Sequence, residues 1–243
     1  MAGELKDQVA VITGASRGIG RAAAVALAKE GVHVVVTARN VEQLTSLVAE
    51  CEALGVRALA VPADVTQDDD VARLKEAALN NFGQVDILVN NAGVGKYGPL
   101  TSLSAEDYDW MMDTNMRSTF LCTHAFLPGM LERRSGSIIT VASVAGLKGL
   151  PNETIYCATK FAQIGFCQAL DYETREQGVK VSVIAPGGVA TTFAFGTGRE
   201  PGMPALDGML DAEDVADAVV FAAKQPEKSR VFLIGMRPMN EPL

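Results

Sequence analysis

Residues 9–20, with the sequence VAVITGASRGIG, constrain the fold of this chain more than any other stretch. The first four of them are apolar and predict a short strand that is buried on both faces. The alanine-rich residues 21–29 predict a helix. The turn between them carries Gly14, Gly18 and Gly20, and glycine tolerates positive φ and lets a ligand approach the backbone. Because the start of a helix presents free N–H groups and a positive dipole end, this arrangement predicts a phosphate-binding turn.

The same turn admits a second interpretation. Gly14-Ala15-Ser16-Arg17-Gly18 matches G-x-S-x-G, the nucleophile elbow of α/β hydrolases. A hydrolase of that kind needs an acidic residue and then a histidine further along the chain. The two histidines are His33 and His124, and none follows His124. A late catalytic base is therefore missing, which disfavours a serine hydrolase.

The composition narrows the class of protein further. A length of 243 residues suits one α/β domain covering 1–243, and 48% hydrophobic residues are enough for a sizeable core. The net charge of −8 argues against a nucleic-acid partner. The four cysteines have neither C-x-x-C nor zinc spacing, so we expect buried, reduced thiols and no metal site. With no signal peptide and no apolar run near ~18 residues, we expect a cytoplasmic protein that is not bound to a membrane.

Strand-like and helical stretches alternate along the chain. Strands are predicted at 9–13, 32–37, 58–61, 85–90, 137–141, 179–185 and 231–234, and helices at 19–30, 41–54, 67–82, 105–131, 156–177 and 212–224. This alternation predicts a doubly wound, Rossmann-type α/β domain with a seven-stranded parallel sheet and helices on both faces. A ligand then belongs at the carboxyl ends of the strands, where the strand order reverses.

Chemically informative motifs follow these strands. Asn90-Asn91-Ala92-Gly93 follows the fourth strand, and Pro186-Gly187 follows the sixth. Ser143 ends the fifth, thirteen residues before Tyr156. Lys160 shares a helix face with Tyr156, because residues i and i+4 lie one above the other. An adjacent ammonium favours the phenolate, so Lys160 is predicted to lower the tyrosine pKa from its usual value of about 10 toward a range useful in acid–base catalysis.

The order of these motifs resembles that of the short-chain dehydrogenase/reductase family, in particular its 3-oxoacyl and carbonyl reductases. The resemblance rests on the T-G-x-x-x-G-x-G turn, N-N-A-G, Asn115, Ser143 and Y-x-x-x-K, and it covers about residues 6–234. It implies hydride transfer between NADP(H) and a carbonyl/alcohol substrate, with Tyr156 as general acid or base.

The resemblance also implies individual roles. Ser143 hydrogen-bonds the substrate oxygen, Lys160 lowers the Tyr156 pKa and binds the nicotinamide ribose, and Asn115 holds a water that connects Lys160 to solvent. The cofactor-binding residues that it implies are Gly14, Ser16, Arg17, Gly18, Ile19, Gly20, Arg39, Asp64, Val65, Asn91, Ala92, Gly93, Tyr156, Lys160, Pro186, Gly187, Val189 and Thr191.

The residues after the second and third strands bear on the kind of cofactor. Versions of the fold that bind NAD carry an acidic residue after the second strand, and the resemblance aligns Ala38 with that position. Arg39 and Arg17 are predicted to flank a 2′-phosphate, which favours NADP(H); the alternative is that both are surface arginines. Asp64 and Val65 are implied to flank the adenine, with a helix N-cap as the alternative role for Asp64.

The segment 191–210 is rich in glycine, proline and apolar residues and predicts a mobile lid over the substrate, with a loop that never closes as the alternative. The expected substrate is a ketone or a 3-oxoacyl compound. A polyol, sugar or steroid dehydrogenase of the same family is the alternative. A non-catalytic NADP-sensing module would lack the tyrosine–lysine pair that this chain has.

The family's usual dimer face is formed by the long helices that correspond to 105–131 and 156–177, so the resemblance implies a homodimer or homotetramer. Phe161, Ile164, Phe166 and Leu170 are candidates for that face or for the core. The last strand lacks the family's V-D-G-G-like turn, which puts closure of the pocket from the C-terminal side in doubt.

Overall fold

The computed structural model describes residues 4–203 and 206–241, so Pro204 and Ala205 of the predicted lid lie outside the described residues. The strands are β1 (Val9–Thr13), β2 (His33–Ala38), β3 (Ala58–Pro62), β4 (Ile87–Asn90), β5 (Gly136–Val141), β6 (Val179–Pro186) and β7 (Leu233–Met236). The α-helices are α1 (Gly18–Lys29), α2 (Val41–Ala53), α3 (Asp68–Phe82), α4 (Ala105–Met112), α5 (Ser118–Arg133), α6 (Thr154–Thr174) and α7 (Ala212–Ala223).

The strands form one parallel sheet in the order β3-β2-β1-β4-β5-β6-β7. The order reverses between β1 and β4, so the loops after these two strands diverge and leave a crevice at the carboxyl edge of the sheet. The predicted doubly wound parallel sheet is confirmed, and most predicted ends lie within two residues of the observed ones.

Each face of the sheet is covered by its own layer of helices. Ala10 and Ile12 of β1 belong to a cluster that includes Leu27 of α1 and residues of α2 and α7. Val9 and Val11 point to the opposite face, into a cluster with α3, α5 and α6. Because both faces are covered, the strand is apolar at every position up to Thr13. Each fully buried valine, leucine or isoleucine side chain contributes about 1.5–3 kcal/mol to folding.

The predicted helix 105–131 is wrong in one respect, since it is not one regular helix. A π-helical turn at Asp113–Arg117 separates α4 from α5. Such turns accommodate one extra residue and are common at functional sites. Here the turn carries Asn115, which is fully buried and makes hydrogen bonds to the loop after β4 and to α6. The local pitch is therefore set by tertiary contacts.

The burial of individual side chains bears on the predictions for the cysteines and for the candidate subunit face. The four cysteines are free and buried, as expected. Of the candidates for a subunit face, Leu170 is buried and Ile164 and Phe166 pack against the core, while Phe161 is 47% exposed. No helix in the described ranges is both long and apolar enough to cross a membrane.

Gly20, in the first turn of α1, provides a test of how tightly the glycine turn is packed. A Cβ there would lie 2.4 Å from Asn91 Nδ2 and 2.4 Å from the Gly14 carbonyl oxygen. We expect Gly20→Ala to destabilise the fold by roughly 1–3 kcal/mol, the usual cost of overpacking. Gly165→Ala is the matched control, because no atom lies within 4 Å of a Cβ at that helical position. The control should be neutral or stabilising by up to about 1 kcal/mol. Urea denaturation measures both, and equal stabilities of the two variants would contradict the packing argument.

Candidate active site

A cleft of about 1050 Å³ opens at the carboxyl edge of the sheet, beside the reversal of strand order. It runs from the glycine turn to the start of α6. The predicted residues that line it are Gly14, Ser16, Arg17, Gly18, Ile19, Arg39, Asp64, Val65, Asn91, Ala92, Gly93, Ser143, Tyr156, Lys160, Pro186, Gly187, Val189 and Thr191. Two predicted residues, Gly20 and Asn115, do not line it, because both are buried behind its wall.

The glycine turn is shaped to receive an anion. Gly14 and Gly18 have φ of +63° and +54°, a conformation that favours glycine. The N-cap of α1 is Arg17, whose side chain makes no capping hydrogen bond, and the first turn contains no acidic residue. The amide of Asn91 donates to the carbonyl oxygens of Thr13 (2.9 Å) and Gly14 (3.2 Å), which holds the turn against the loop after β4. The helix N-terminus therefore faces the cleft with its own N–H groups uncapped, as a phosphate site requires.

Two arginines flank the mouth of the cleft near the end of β2. Arg17 and Arg39 are both exposed and line the cleft. Within residues 4–203 and 206–241, neither guanidinium takes part in an ion pair. Ala38, the last residue of β2, places no carboxylate beside them. These residues fit a 2′-phosphorylated dinucleotide, because two unpaired cations stand where an acidic residue would otherwise meet the ribose.

Asp64 does not cap α3. The N-cap of that helix is Gln67. Asp64 Oδ1 accepts hydrogen bonds from the Thr66 N–H (3.1 Å) and hydroxyl (2.8 Å), which forms a local turn. The capping alternative is therefore wrong, and Asp64 presents its side chain at the wall of the cleft beside Val65.

Tyr156 and Lys160 lie side by side at the far end of the cleft, as the helical spacing predicts. The Lys160 Nζ atom is 5.6 Å from the centroid of the Tyr156 ring. The ammonium donates to the Val141 carbonyl oxygen (3.2 Å) and to Gln163 Oε1 (2.9 Å). Ser143 lines the same end of the cleft and is hydrogen-bonded to Tyr156. Its hydroxyl also accepts from the Ala145 N–H (3.1 Å) and donates to the Pro186 carbonyl oxygen (3.4 Å). The three predicted reactive side chains thus share one end of one cleft.

Burial dominates the acid–base properties of this pair. It raises the pKa of Tyr156 well above its ordinary value of 10, with a smaller raising effect from Tyr97 and a lowering effect from Ser143. It lowers the pKa of Lys160 to about 7. The predicted lowering of the tyrosine pKa by Lys160 is therefore wrong for this structure. Both side chains lose solvation, and burial disfavours the charged form of each.

Asn115 is buried behind the wall of the cleft, where it makes hydrogen bonds to three other parts of the chain. Its side chain accepts from the Val94 N–H (2.8 Å) and donates to the Val94 carbonyl oxygen and to Thr159 (2.9 Å each). Its backbone carbonyl accepts from the Thr119 hydroxyl (2.8 Å) and from Gln163 Nε2 (2.9 Å). A carbonyl oxygen has two lone pairs, so both are used. The implied role of Asn115 in holding a water that connects Lys160 to solvent stays a prediction.

The substrate side of the cleft is aromatic with a few charged groups. The ring of Tyr156 makes an edge contact with Tyr97 (5.7 Å between centroids) and a tilted contact with Phe193 (5.9 Å). Glu153 and Arg199 also line this part of the cleft. Burial raises the pKa of the Glu153 carboxyl, and the Arg199 guanidinium lowers it in part. The site therefore combines an apolar surface with a small number of oriented polar groups, as ligand sites usually do.

The segment that the sequence predicts as a lid is hydrogen-bonded to the loop after β4. The Thr197 hydroxyl donates to the Gly95 carbonyl oxygen (2.6 Å), and the Tyr97 N–H donates to the Thr197 carbonyl oxygen (2.8 Å). A Cβ on Gly95 would lie 3.0 Å from Phe193 Cε1, so glycine lets the Phe193 ring pack there. In this structure the described part of the segment covers the Tyr156 end of the cleft.

The C-terminal residues close the cleft from the other side, which the missing V-D-G-G turn had put in doubt. Glu241 Oε2 accepts from the Gly188 N–H (2.9 Å), and its carboxylate lies 3.2 Å from Arg237 Nη1. A Cβ on Gly187 would lie 2.2 Å from Glu241 Oε2, so a larger residue there would require the Glu241 carboxylate to move.

The hydrolase alternative finds no histidine near Ser16. His33 begins β2 and pairs in register with Val9, at the opposite edge of the sheet from the glycine turn. His124 lies in α5, where its ring stacks on Phe120. Neither ring is placed to activate the serine.

The sequence interpretation missed several residues of the site. Gln163 lies one turn beyond Lys160 and Glu153 lies three residues before Tyr156, so helical periodicity could have indicated both. Tyr97, Arg199 and Glu241 reach the cleft from separate loops, and no local pattern predicts such contacts.

The strand order of the parallel sheet reverses beside one cleft, and that cleft holds both an uncapped glycine turn and a tyrosine–lysine pair. These features define a dinucleotide-dependent oxidoreductase. The family model described as short chain dehydrogenase matches residues 8–200. The chain belongs to the short-chain dehydrogenase/reductase family.

Individual relatives agree with this assignment. The chain is 40% identical over 225 residues to a 3-oxoacyl-[acyl-carrier-protein] reductase of Synechocystis, covering 91% of each. It is 37% identical over 246 residues to a glycine betaine reductase of Emericella nidulans, covering 99% of this chain but only 19% of that protein. A solved alcohol dehydrogenase of Thermococcus sibiricus, in complex with 5-hydroxy-NADP, superposes with a TM-score of 0.90 at 32% identity, covering 97% of this chain and 98% of that one.

Proposed function

We propose that this protein is an NADPH-dependent reductase of ketones or 3-oxoacyl compounds, with Tyr156 as the proton donor. The observation that carries the proposal is the placement of Tyr156, Ser143 and Lys160 at one end of a cleft whose other end is an uncapped phosphate turn. The nicotinamide cofactor, when bound, supplies the hydride.

The residues of the chain then have separate tasks. The Tyr156 phenol donates a proton to the carbonyl oxygen of the substrate, and the Ser143 hydroxyl hydrogen-bonds the same oxygen as negative charge develops there. Lys160 has a third N–H for the cofactor ribose, because its hydrogen bonds to Val141 and Gln163 use two of its three donors. Asn115 fixes the loop after β4 against α6 and thereby shapes the wall next to Lys160.

The preference for NADP(H) over NAD(H) is supported by the two unpaired arginines at the mouth of the cleft and by the uncharged Ala38 at the end of β2. Each charge-assisted hydrogen bond to a phosphate is worth about 1.5–3 kcal/mol. The NADP-type ligand of the Thermococcus sibiricus structure agrees with this choice.

The substrate class is supported by the aromatic lining from Tyr97, Trp110 and Phe193 and by the similarity to the Synechocystis reductase. A polyol or sugar would place several hydroxyl groups against the apolar rings of Tyr97 and Phe193, whereas a steroid dehydrogenase of the same family stays the alternative. For assembly we propose a homodimer or homotetramer, with Phe120 on α5 and Phe161 on α6 as exposed apolar contacts.

The pH dependence of the two directions tests the proposal. Burial holds the pKa of Tyr156 above its ordinary value, so the phenol stays protonated at neutral pH. We expect the protonated form needed for reduction to be fully present, while kcat/KM for alcohol oxidation rises about tenfold per pH unit through the alkaline range, because oxidation requires the phenolate. Initial rates in both directions with the same alcohol/ketone pair measure this. An oxidation rate already independent of pH at neutrality would contradict the proposed state of Tyr156.

A further inference from the structure

Gln163 occupies a central position behind the reactive residues. Its side chain is 1% exposed and lies on α6, one turn beyond Lys160. Its Oε1 accepts from Lys160 Nζ (2.9 Å), while its Nε2 donates to the Asn115 carbonyl oxygen (2.9 Å) and to the Thr119 hydroxyl oxygen (2.8 Å). The amide thus joins the ammonium to the π-helical turn and to α5 through one buried side chain.

This placement matters because, within residues 4–203 and 206–241, Lys160 has no carboxylate partner. Lys160 is 4% exposed, and its ammonium donates to the neutral Val141 carbonyl and to the Gln163 amide. A buried cation with only neutral partners is costly unless its hydrogen bonds are satisfied. Loss of the Gln163 acceptor would leave the ammonium with one hydrogen bond from β5 and free to change its rotamer.

We propose that Gln163 is a positioning residue that fixes the Lys160 ammonium beside Tyr156 by bridging it to the Asn115 carbonyl. An amide in this place gives a fixed hydrogen-bond direction and excludes solvent from behind the lysine. The anchoring of Lys160 stands on the contacts alone, whereas its consequence for turnover rests on the proposed function.

The contact between Gln163 and Lys160 can be tested by the pH dependence of protein stability, without measuring activity. The pKa of Lys160 is lowered by burial from 10.5 to about 7. Between these values the unfolded chain binds the extra proton, so this group makes the free energy of unfolding increase as pH rises from about 7 to about 10. Among the described residues, Tyr156 is the titratable side chain that contacts Lys160, and the groups facing it from β5 and α6 are a backbone carbonyl and the neutral amide. Tyr156 titrates above this window.

The first experiment measures urea unfolding across this pH range on the protein without added cofactor. In Lys160→Met the rise of the free energy of unfolding between about pH 7 and about pH 10 should disappear, which assigns that rise to the lysine. Gln163→Glu places a carboxylate 2.9 Å from Nζ, keeps the lysine charged to higher pH, and should flatten the dependence; Gln163→Met should preserve or steepen it. Thr119→Val is the matched control, since it removes a contact of the same amide without touching Lys160, and it should keep the wild-type slope. If the free energy of unfolding depends on pH equally in wild type and in Gln163→Glu, the proposal that Gln163 holds the Lys160 ammonium is overturned.

The second experiment measures steady-state reduction by NADPH. Gln163→Met should lower kcat about tenfold or more through misplacement of Lys160, with the KM for the carbonyl substrate nearly unchanged. Gln163→Glu restores an acceptor for Nζ and should recover part of the loss. A folded Gln163→Met enzyme with wild-type kcat and an unchanged pH profile would refute the positioning role. If wild type reduces no carbonyl, the proposed function fails, and the unfolding measurements still decide whether Gln163 holds Lys160.

Discussion

Tyr156→Phe is expected to reduce carbonyl reduction by about 10²-fold or more while leaving the fold and NADPH binding intact. The substitution removes one hydroxyl from a ring that keeps its contacts with Tyr97 and Phe193. A loss of that size corresponds to about 2.7 kcal/mol of transition-state stabilisation, within the range of general acid catalysis. The Tyr156 side chain is buried (7% exposed) at the substrate side of the cleft, so the loss of its hydroxyl removes the proposed proton donor without exposing a new surface.

The measurement is kcat/KM with saturating NADPH, together with NADPH binding and urea denaturation for each variant. Tyr172→Phe is a suitable control, because it makes the same chemical change on the same helix at a position that is 61% exposed. It should keep wild-type activity. Turnover within about threefold of wild type in Tyr156→Phe would end the role of this residue as proton donor.

Arg39→Ala is expected to weaken NADPH binding about tenfold to a hundredfold and to leave NADH binding nearly unchanged. The two cofactors differ at the 2′-phosphate, and the exposed Arg39 guanidinium has no protein ion pair among the described residues to compete for it. One or two charge-assisted hydrogen bonds account for a loss of this size. Arg17 stands on the other side of the same mouth, so the double substitution should lose more than either single one.

Dissociation constants for both cofactors, obtained by titration at fixed ionic strength, test this prediction. The ionic strength must be held constant because exposed charges are screened by salt. Arg175→Ala, at the far end of α6, removes one positive charge away from the cleft and should alter neither constant. Equal losses for NADPH and NADH in Arg39→Ala would show that Arg39 does not recognise the phosphate.

Local patterns in the sequence predict the parts of the site that depend on chain direction and period. The glycine turn follows a buried strand, and Tyr156 and Lys160 share a helix face at i and i+4. The sequence alone therefore predicts the positions of the turn and of the tyrosine–lysine pair. The parallel sheet then brings the ends of β1, β4, β5 and β6 to one edge.

Other features depend on tertiary contacts that no local pattern encodes. The π-helical turn carries Asn115, which is hydrogen-bonded to Val94 in the loop after β4 and to Thr159 in α6. The pKa shifts of Tyr156 and Lys160 follow from burial, and their direction opposed the effect expected from the pair alone. Glu241 meets Gly188 across fifty-three positions of sequence, a contact that only the folded chain reveals.

The most direct test of the account follows NADPH absorbance as the purified protein is mixed with a panel of simple ketones, β-ketoesters and 3-oxoacyl thioesters, with NADH as the comparison. The account predicts consumption of NADPH matched by formation of the alcohol for at least one member of the panel, and slower consumption of NADH. A folded protein that binds NADPH but reduces no carbonyl of these classes would contradict it.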